Sequence, residues 1–333
     1  MSYLLKPLQT GPLTLKNRLV MPPMATAKAD PDGKVNPSIL DYYTEKSQGG
    51  YLSLIIIEHS FIQSDGKASD RQLSVSDDSM IQGLKELADI IHRNGSKTVM
   101  QINHAGSNTT EEITGTVPVG PSAVPHPRRQ TMPNELTLEE IATIIRAFQN
   151  GARRTKEAGF DGVEIHAAHG YLLHQFFSPL TNKRSDDYGG NIHNRIRLHL
   201  QVIEAIRASV GNDFPLLLRL GASDFREGGI TIEDSQIAAQ EFERAGVHIL
   251  DISGGFSGYI VPGLTGQGFF APLSEAIKKV VSIPVILTGG ITEVHSAEHL
   301  LSEQKADLIG VGRAILNDSQ WAEQAINSLR SEA

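Results

Sequence analysis

Short runs rich in Val, Ile and Leu alternate along this chain with longer segments of helical spacing. Leu19–Met21, Leu52–Glu58, Lys97–Ile102, Gly162–Ile165, Pro215–Leu220, His248–Ile252, Pro284–Leu287 and Ala306–Val311 read as buried strands. Between them lie segments with helix signals at their ends. Asn36 precedes Pro37 as an N-cap before a first-turn proline. Ile81, Leu84, Leu87, Ile90 and Ile91 recur at helical spacing before Gly95, and Thr137-Leu138-Glu139-Glu140 fits a capping box. Helices are also expected over Ile196–Val210, Thr231–Ala245, Leu273–Val281 and Val294–Leu301. A strand that is apolar throughout is buried on both faces, and parallel neighbours need a crossover, which these helices supply. About eight such units in one series match a (β/α)8 TIM barrel at about this length, whereas a doubly wound sheet usually uses fewer. No Ser/Pro/Gly-rich linker divides the series, so residues 1–333 read as one α/β domain. Leu13–Leu15 and Lys16–Arg18 are expected to form a small hairpin closing one end, and long loops are expected at strand ends over 106–133 and 178–191.

Composition narrows the function classes. The formal net charge is −8 and no basic run stands out, which argues against nucleic acid as a partner. Cysteine is absent, so disulfides, thiolate zinc sites, Cys-ligated iron–sulfur clusters and a Cys nucleophile are excluded together. The N-terminal stretch has no long apolar segment, and no run approaches the roughly 20 residues that span a bilayer. No membrane association is expected, and a cytoplasmic enzyme is the default.

The stretch Phe160–Asn191 carries the densest chemistry. Its strand ends in His166-Ala167-Ala168-His169-Gly170-Tyr171, so two imidazoles and a phenol sit where the chain turns. Three readings compete: two satisfied core histidines; a metal site, for which His104 and His174 are only loose third ligands; or a pair of donors gripping a carbonyl or anionic oxygen, with Tyr171 as proton source. Farther along, the last two strands end in Thr288-Gly289-Gly290-Ile291 and Gly310-Val311-Gly312-Arg313. Glycine exposes backbone N–H groups, and in TIM barrels a phosphate site lies after strands seven and eight. Gly289, Gly290, Gly312 and Arg313 therefore read as a phosphate end, suited to any phosphate-bearing ligand. Arg219, inside a Leu-rich strand, needs an anion nearby: a strand-end salt bridge or a ligand.

The run Glu164-Ile165-His166-Ala167-Ala168-His169-Gly170-Tyr171-Leu172, followed by Phe177-Ser178-Pro179, Asn182, Arg184, Asp186, Tyr188-Gly189-Gly190 and Asn194-Arg195, resembles the Old Yellow Enzyme family of FMN-dependent ene-reductases, in its bacterial single-domain branch. The resemblance extends from Lys16-Asn17-Arg18 to Gly312-Arg313. It implies non-covalent FMN across the strand ends, with Pro23, Met24 and Ala25 beside the flavin's reactive edge. Gln101 would bond its pyrimidine portion and Arg219 would face its N1/O2 region. His59 would lie beside the ring, and Gly289, Gly290, Gly312 and Arg313 would hold the phosphate. It further implies NADPH or NADH as reductant and an electron-poor alkene as oxidant. His166 and His169 would hold the alkene's carbonyl while hydride reaches the β-carbon, and Tyr171 would protonate the α-carbon. Relatives commonly form dimers or tetramers, so a homo-oligomer is implied.

Three positions depart from the family pattern. Ala25 stands where relatives often carry Cys or Thr that tunes the flavin, and Ala27 falls near a Tyr of the cysteine-bearing branch. His59 stands where many relatives have a small residue. The segment Pro22-Pro23-Met24-Ala25 also resembles the barrel domain of dienoyl-CoA reductases, but without Cys or chain beyond the barrel neither the cluster nor the second nucleotide domain of those enzymes is expected. A sugar-phosphate aldolase or isomerase barrel, or a non-catalytic flavin-binding protein, are the alternatives. The first explains the glycines but not Arg219, Gln101 and the His-Tyr set together.

Overall fold

Residues 2–332 are described by the computed structural model. Its centre is a closed parallel barrel of eight strands: β1 (Leu19–Met21), β2 (Leu54–Phe61), β3 (Lys97–Asn103), β4 (Gly162–Ala167), β5 (Leu216–Gly221), β6 (Ile249–Ser253), β7 (Val285–Leu287) and β8 (Leu308–Gly310). The strands pair in chain order, and β8 closes on β1 through Ile309 opposite Leu19. The α/β expectation and the barrel are therefore observed.

Alternation along each strand splits the apolar residues into two cores. Val20, Leu54, Ile56, Val99, Leu217, Ile249, Ile286 and Leu308 form an inner cluster, while Ile55, Ile57, Met100, Val163, Leu218 and Leu250 join the outer cluster under the helices. Two residues beyond the inner apolar layer, toward the carboxyl ends, the same strands carry Gln101, Arg219 and Asp251. The barrel is thus sealed at its base and polar at its upper end. The seal is completed by Leu13 and Leu15, which pack on the inner cluster.

That hairpin differs from expectation. Its partner strand is Leu8–Thr10, paired antiparallel with Leu13–Leu15, and Lys16–Arg18 is not part of it. Gly11 at φ +50 permits the tight turn between the two strands. Lys16–Arg18 instead leads into β1: Asn17 donates to the Tyr51 carbonyl at 2.8 Å, and the Arg18 carbonyl accepts from Ile309 N at 2.9 Å.

The helix ends follow their local signals. Asn36 Oδ1 accepts from Ile39 N at 3.1 Å ahead of the helix Pro37–Ser47. Thr137 and Glu140 form a reciprocal capping box at the start of Leu138–Glu157. The excursion over 106–133 holds a short helix, Glu111–Thr114, and a two-residue pairing of Val119–Gly120 with Asn134–Glu135. No helix among the described residues is long and apolar enough to cross a membrane.

β2 runs farther than its apolar core predicts, to Phe61, and slips in register against β3 between Ile57 and Ser60. This bulge at the strand's upper end places an extra residue where Glu58 and His59 sit, and bulges re-aim side chains at such positions.

Candidate active site at the carboxyl ends of the strands

A cavity of about 520 Å³ opens at the carboxyl ends of the barrel strands. The residues singled out from sequence come together in it. Pro23, Met24 and Ala25 line it just beyond β1, and His59 and Gln101 line it from β2 and β3. His166, His169 and Tyr171 follow β4, and Arg219 reaches it from β5. Gly289 and Gly290 follow β7, and Gly312 and Arg313 follow β8. Residues that sequence reasoning did not single out complete the wall, among them Tyr259, Ile260, Phe270 and Leu316. No motif marks them in the sequence; only barrel closure brings them here.

The glycine end has the chemistry of an anion cradle. Gly289 and Gly290 hold φ of +113° and +72°, and a Cβ on Gly290 would lie 2.4 Å from the Gly266 carbonyl oxygen. Among the described residues no protein acceptor takes the N–H of Gly289, Gly290 or Gly312. Arg313 opens the short helix that follows and lines the same end.

Beneath the other end lies a buried polar layer drawn from three strands. Gln101 Nε2 donates to Glu164 Oε2 at 2.7 Å. Arg219 Nε stands 3.2 Å from Asp251 Oδ2 without aiming at it, so neither atom has a hydrogen-bond partner, and Glu164 Oε1 also lacks one. Of the two readings of Arg219, a strand-end salt bridge or a ligand, the ion pair is thus present. It leaves the terminal guanidinium nitrogens unbonded to protein among the described residues, on a side chain that lines the cavity. Burial pushes Asp251 up to about 6 against the opposing pull of Arg219. Burial, and secondly the Asp251 charge, raise Glu164 well above the carboxylate range. Glu164 and Asp251 were missed as site residues; a carboxylate inside an apolar strand was the available signal.

The ring cluster sits above this layer. His166 and Tyr171 have ring centroids 4.9 Å apart, His166 and His169 5.1 Å, and His59 and Tyr171 5.2 Å. Ala168 N donates to His166 Nδ1 at 3.3 Å, which places the ring proton on Nε2. His169 Nε2 pairs with Ser253 Oγ at 2.7 Å. Burial lowers His59 to about 4 and holds His166 and His169 well below the usual imidazole range, with neighbouring cationic groups adding to the effect. The rings are therefore neutral at physiological pH, suited to donating hydrogen bonds to an oxygen. Burial raises the Tyr171 phenol to about 12, which keeps its proton in place.

The turn that holds these rings is strained and braced. His169 adopts φ +60, in the left-handed region that a non-glycine residue rarely occupies, and Gly170 follows at φ +76. The Gly170 carbonyl accepts from Gln175 Nε2 at 2.7 Å and pairs with His126 Nε2 at 3.1 Å. His104 and His174, the loose candidates for a third metal ligand, are engaged elsewhere: His104 Nδ1 accepts from Gly106 N at 3.0 Å, and His174 Nε2 pairs with Asp224 Oδ1 at 2.8 Å.

A closed parallel barrel whose cavity at the strand ends is lined by a cation, an amide, neutral imidazoles and glycines with free N–H groups has the build of a barrel that binds a phosphate-bearing ligand. Residues 3–332 match the model of the NADH:flavin oxidoreductase / NADH oxidase family, and the chain belongs to that family. It is 44% identical over 330 residues to an NADH oxidase of Thermoanaerobacter brockii, covering 97% of this chain and 50% of that protein. It is 38% identical over 331 residues to an NADPH dehydrogenase of a Geobacillus species, covering 98% of this chain and 95% of that one. The chain thus spans half the length of the first relative and nearly all of the second. Among solved structures, the Old Yellow Enzyme homologue of Zymomonas mobilis superposes with a TM-score of 0.86 at 27% identity, covering 98% of this chain and 92% of that one.

Proposed function

We propose that this chain is a single FMN-binding barrel that uses NADPH or NADH to reduce the electron-poor double bond of an α,β-unsaturated carbonyl compound. The observation that carries the reading is the convergence of the glycine cradle, Arg219, Gln101 and the His166–His169–Tyr171 cluster on one cavity. The residues present fit the cofactor. Free N–H groups and Arg313 suit its phosphate, the unbonded guanidinium of Arg219 suits an electron-rich ring edge, and Pro23, Met24 and Ala25 supply an apolar wall.

When bound, the flavin stores the two electrons of NAD(P)H and returns them as hydride to the alkene. The remaining work belongs to the chain. The Nε2–H of His166 and the imidazole of His169 hold the substrate carbonyl, and these neutral donors stabilise negative charge growing on its oxygen without first being charged themselves. Ser253 orients His169, and the strained Ala168–Gly170 turn sets both rings. Tyr171, 4.9 Å from His166 ring to ring, holds its proton until the carbon beside the carbonyl becomes basic. Arg219, a cation lining the cavity, would stabilise negative charge on a bound flavin ring. Ala25 would offer no thiol or hydroxyl to a ring held beside it, so this position supplies no side-chain handle on the flavin's potential.

The test is cofactor identification followed by turnover. Purified protein should release FMN on denaturation and oxidise NADPH or NADH in the presence of cyclohex-2-enone. Tyr171→Phe should slow the oxidative half-reaction by about 10²- to 10⁴-fold while leaving cofactor reduction largely intact. A colourless protein that does not bind added FMN, or equal losses in both half-reactions of the Tyr171 variant, overturns the reading.

A further inference from the structure

A second chamber of about 470 Å³ adjoins the cavity, sharing His169, Tyr171 and Tyr259 as a common wall. Its outer side is made by Asn108, Arg128 and Arg129. Neither arginine forms an ion pair among the described residues, in a chain whose formal net charge is −8. The Arg128 guanidinium passes over Gly258, where a Cβ would lie 3.1 Å from Nη1, so the glycine leaves it room to enter the chamber.

The loop carrying the two arginines is built onto the reacting residues. The N–H groups of Arg128 and Arg129 donate to His126 Nδ1 at 3.3 and 3.2 Å. The ring proton is therefore on His126 Nε2, which donates to the Gly170 carbonyl at 3.1 Å, between His169 and Tyr171. Burial lowers His126 to about 4, so this clamp stays neutral and intact around neutral pH. A second strut runs through Asn108: Arg129 Nε donates to its Oδ1 at 3.1 Å, and its Nδ2 donates to the His169 carbonyl at 3.2 Å. The charges of both arginines reach the active residues, since each pulls the Tyr171 phenol downward against burial.

We propose that Arg128 and Arg129 form an oxyanion-binding subsite, so that the preferred oxidant carries a carboxylate or phosphate on or close to its electrophilic double bond. This rests on the enone-reductase reading above. Two molecules use the cavity in turn, and the hydride donor also carries phosphates. The chamber's shared wall with His169 and Tyr171 assigns the subsite to the oxidant, because His169 holds its carbonyl and Tyr171 protonates its α-carbon. An arginine pair is suited to the task, as guanidinium groups bind carboxylate and phosphate through paired, charge-assisted hydrogen bonds.

The experiment compares the holoenzyme with Arg128→Gln, Arg129→Gln and the double variant, all at exposed positions. Two oxidants are used, neutral cyclohex-2-enone and anionic 3-oxocyclohex-1-ene-1-carboxylate, and the reductive half-reaction is followed separately with NADPH and NADH. The expected result is a fall in the anionic-to-neutral ratio of kcat/KM of about tenfold for each single variant and more for the double. Calorimetric titration of the oxidised enzyme with 3-oxocyclohexane-1-carboxylate against cyclohexanone should lose the same preference without turnover. If the wild type reduces the neutral enone but the ratio does not move in the double variant, the subsite is refuted while the reductase reading stands. A loss confined to NADPH in the reductive half-reaction, with the oxidant ratio unchanged, reassigns the arginines to the hydride donor and overturns the proposal. A wild type that reduces neither oxidant overturns both.

Discussion

Replacing Arg219 with methionine tests whether the polar layer beneath the site is held by charge. The guanidinium stands 3.2 Å from Asp251, which is fully buried, and Glu164 beside them is fully buried too. At that separation and an effective dielectric of about 20, the Coulombic attraction is roughly 5 kcal/mol. Proton uptake by Asp251 relieves part of the loss, so the expected destabilisation is about 3 kcal/mol near neutral pH, the lower end for breaking a buried pair. In a barrel of this size that corresponds to roughly 4 °C in Tm. The flavin-free protein is the right sample, because a bound ligand adds its own stabilisation.

The pH dependence gives the sharper readout. Asp251 is already raised from its ordinary 3.8 to about 6 by burial, and loss of Arg219 raises it further. A carboxyl raised in the native state keeps a proton that the unfolded chain has released, so stability falls as pH rises from near 3.8 through the native value. The Arg219→Met penalty should be smallest near about pH 5 and largest near about pH 8. Arg219→Met/Asp251→Asn should recover much of the loss, since it removes the unpaired charge. Differential scanning calorimetry at the two pH values checks this. A Tm change below about 2 °C in the single variant, or a double variant no more stable than the single, refutes the reasoning.

Other perturbations address the cradle and the wall beside it. Gly290→Ala forces a Cβ at φ +72 to within 2.4 Å of the Gly266 carbonyl oxygen. Left-handed strain alone is about 1–2 kcal/mol, so FMN affinity measured by fluorescence titration should fall about tenfold or more, and unchanged affinity would remove these glycines from the cradle. Glu58 accepts from Thr26 N at 2.8 Å and Thr26 Oγ1 at 2.7 Å, and burial raises it from 4.5 to about 7. Stability should therefore decline between those values as pH rises, by on the order of 3 kcal/mol, and Glu58→Gln should flatten that slope in urea midpoints taken across the range.

Much of this architecture is local and therefore legible along the chain. A strand buried on both faces writes itself as an apolar run, and Asn36, Thr137 and Thr231 cap their helices through contacts within three residues. Placement of chemistry at strand ends follows, because a run that stops at His166, Gly289 or Gly312 marks where the barrel's upper rim must lie. The hairpin is instructive in the other direction. Lys16–Arg18 adjoins Leu13–Leu15 in sequence, yet Leu8–Thr10 pairs with it, since only the turn at Gly11 lets Leu13 and Leu15 reach the base of the barrel.

The sequence by itself determined the series of βα units, the capped helix starts at Asn36, Thr137 and Thr231 and the residues that face the upper rim, all through signals spanning a few residues. Only the tertiary structure decided that Gln101, Glu164, Arg219 and Asp251 share one buried layer, that β2 bulges beneath His59, and that Arg128 and Arg129 stand beside Tyr171. Those arrangements depend on strand register and on closure of β8 against β1. Closure joins residues far apart in the chain through contacts that no local pattern encodes.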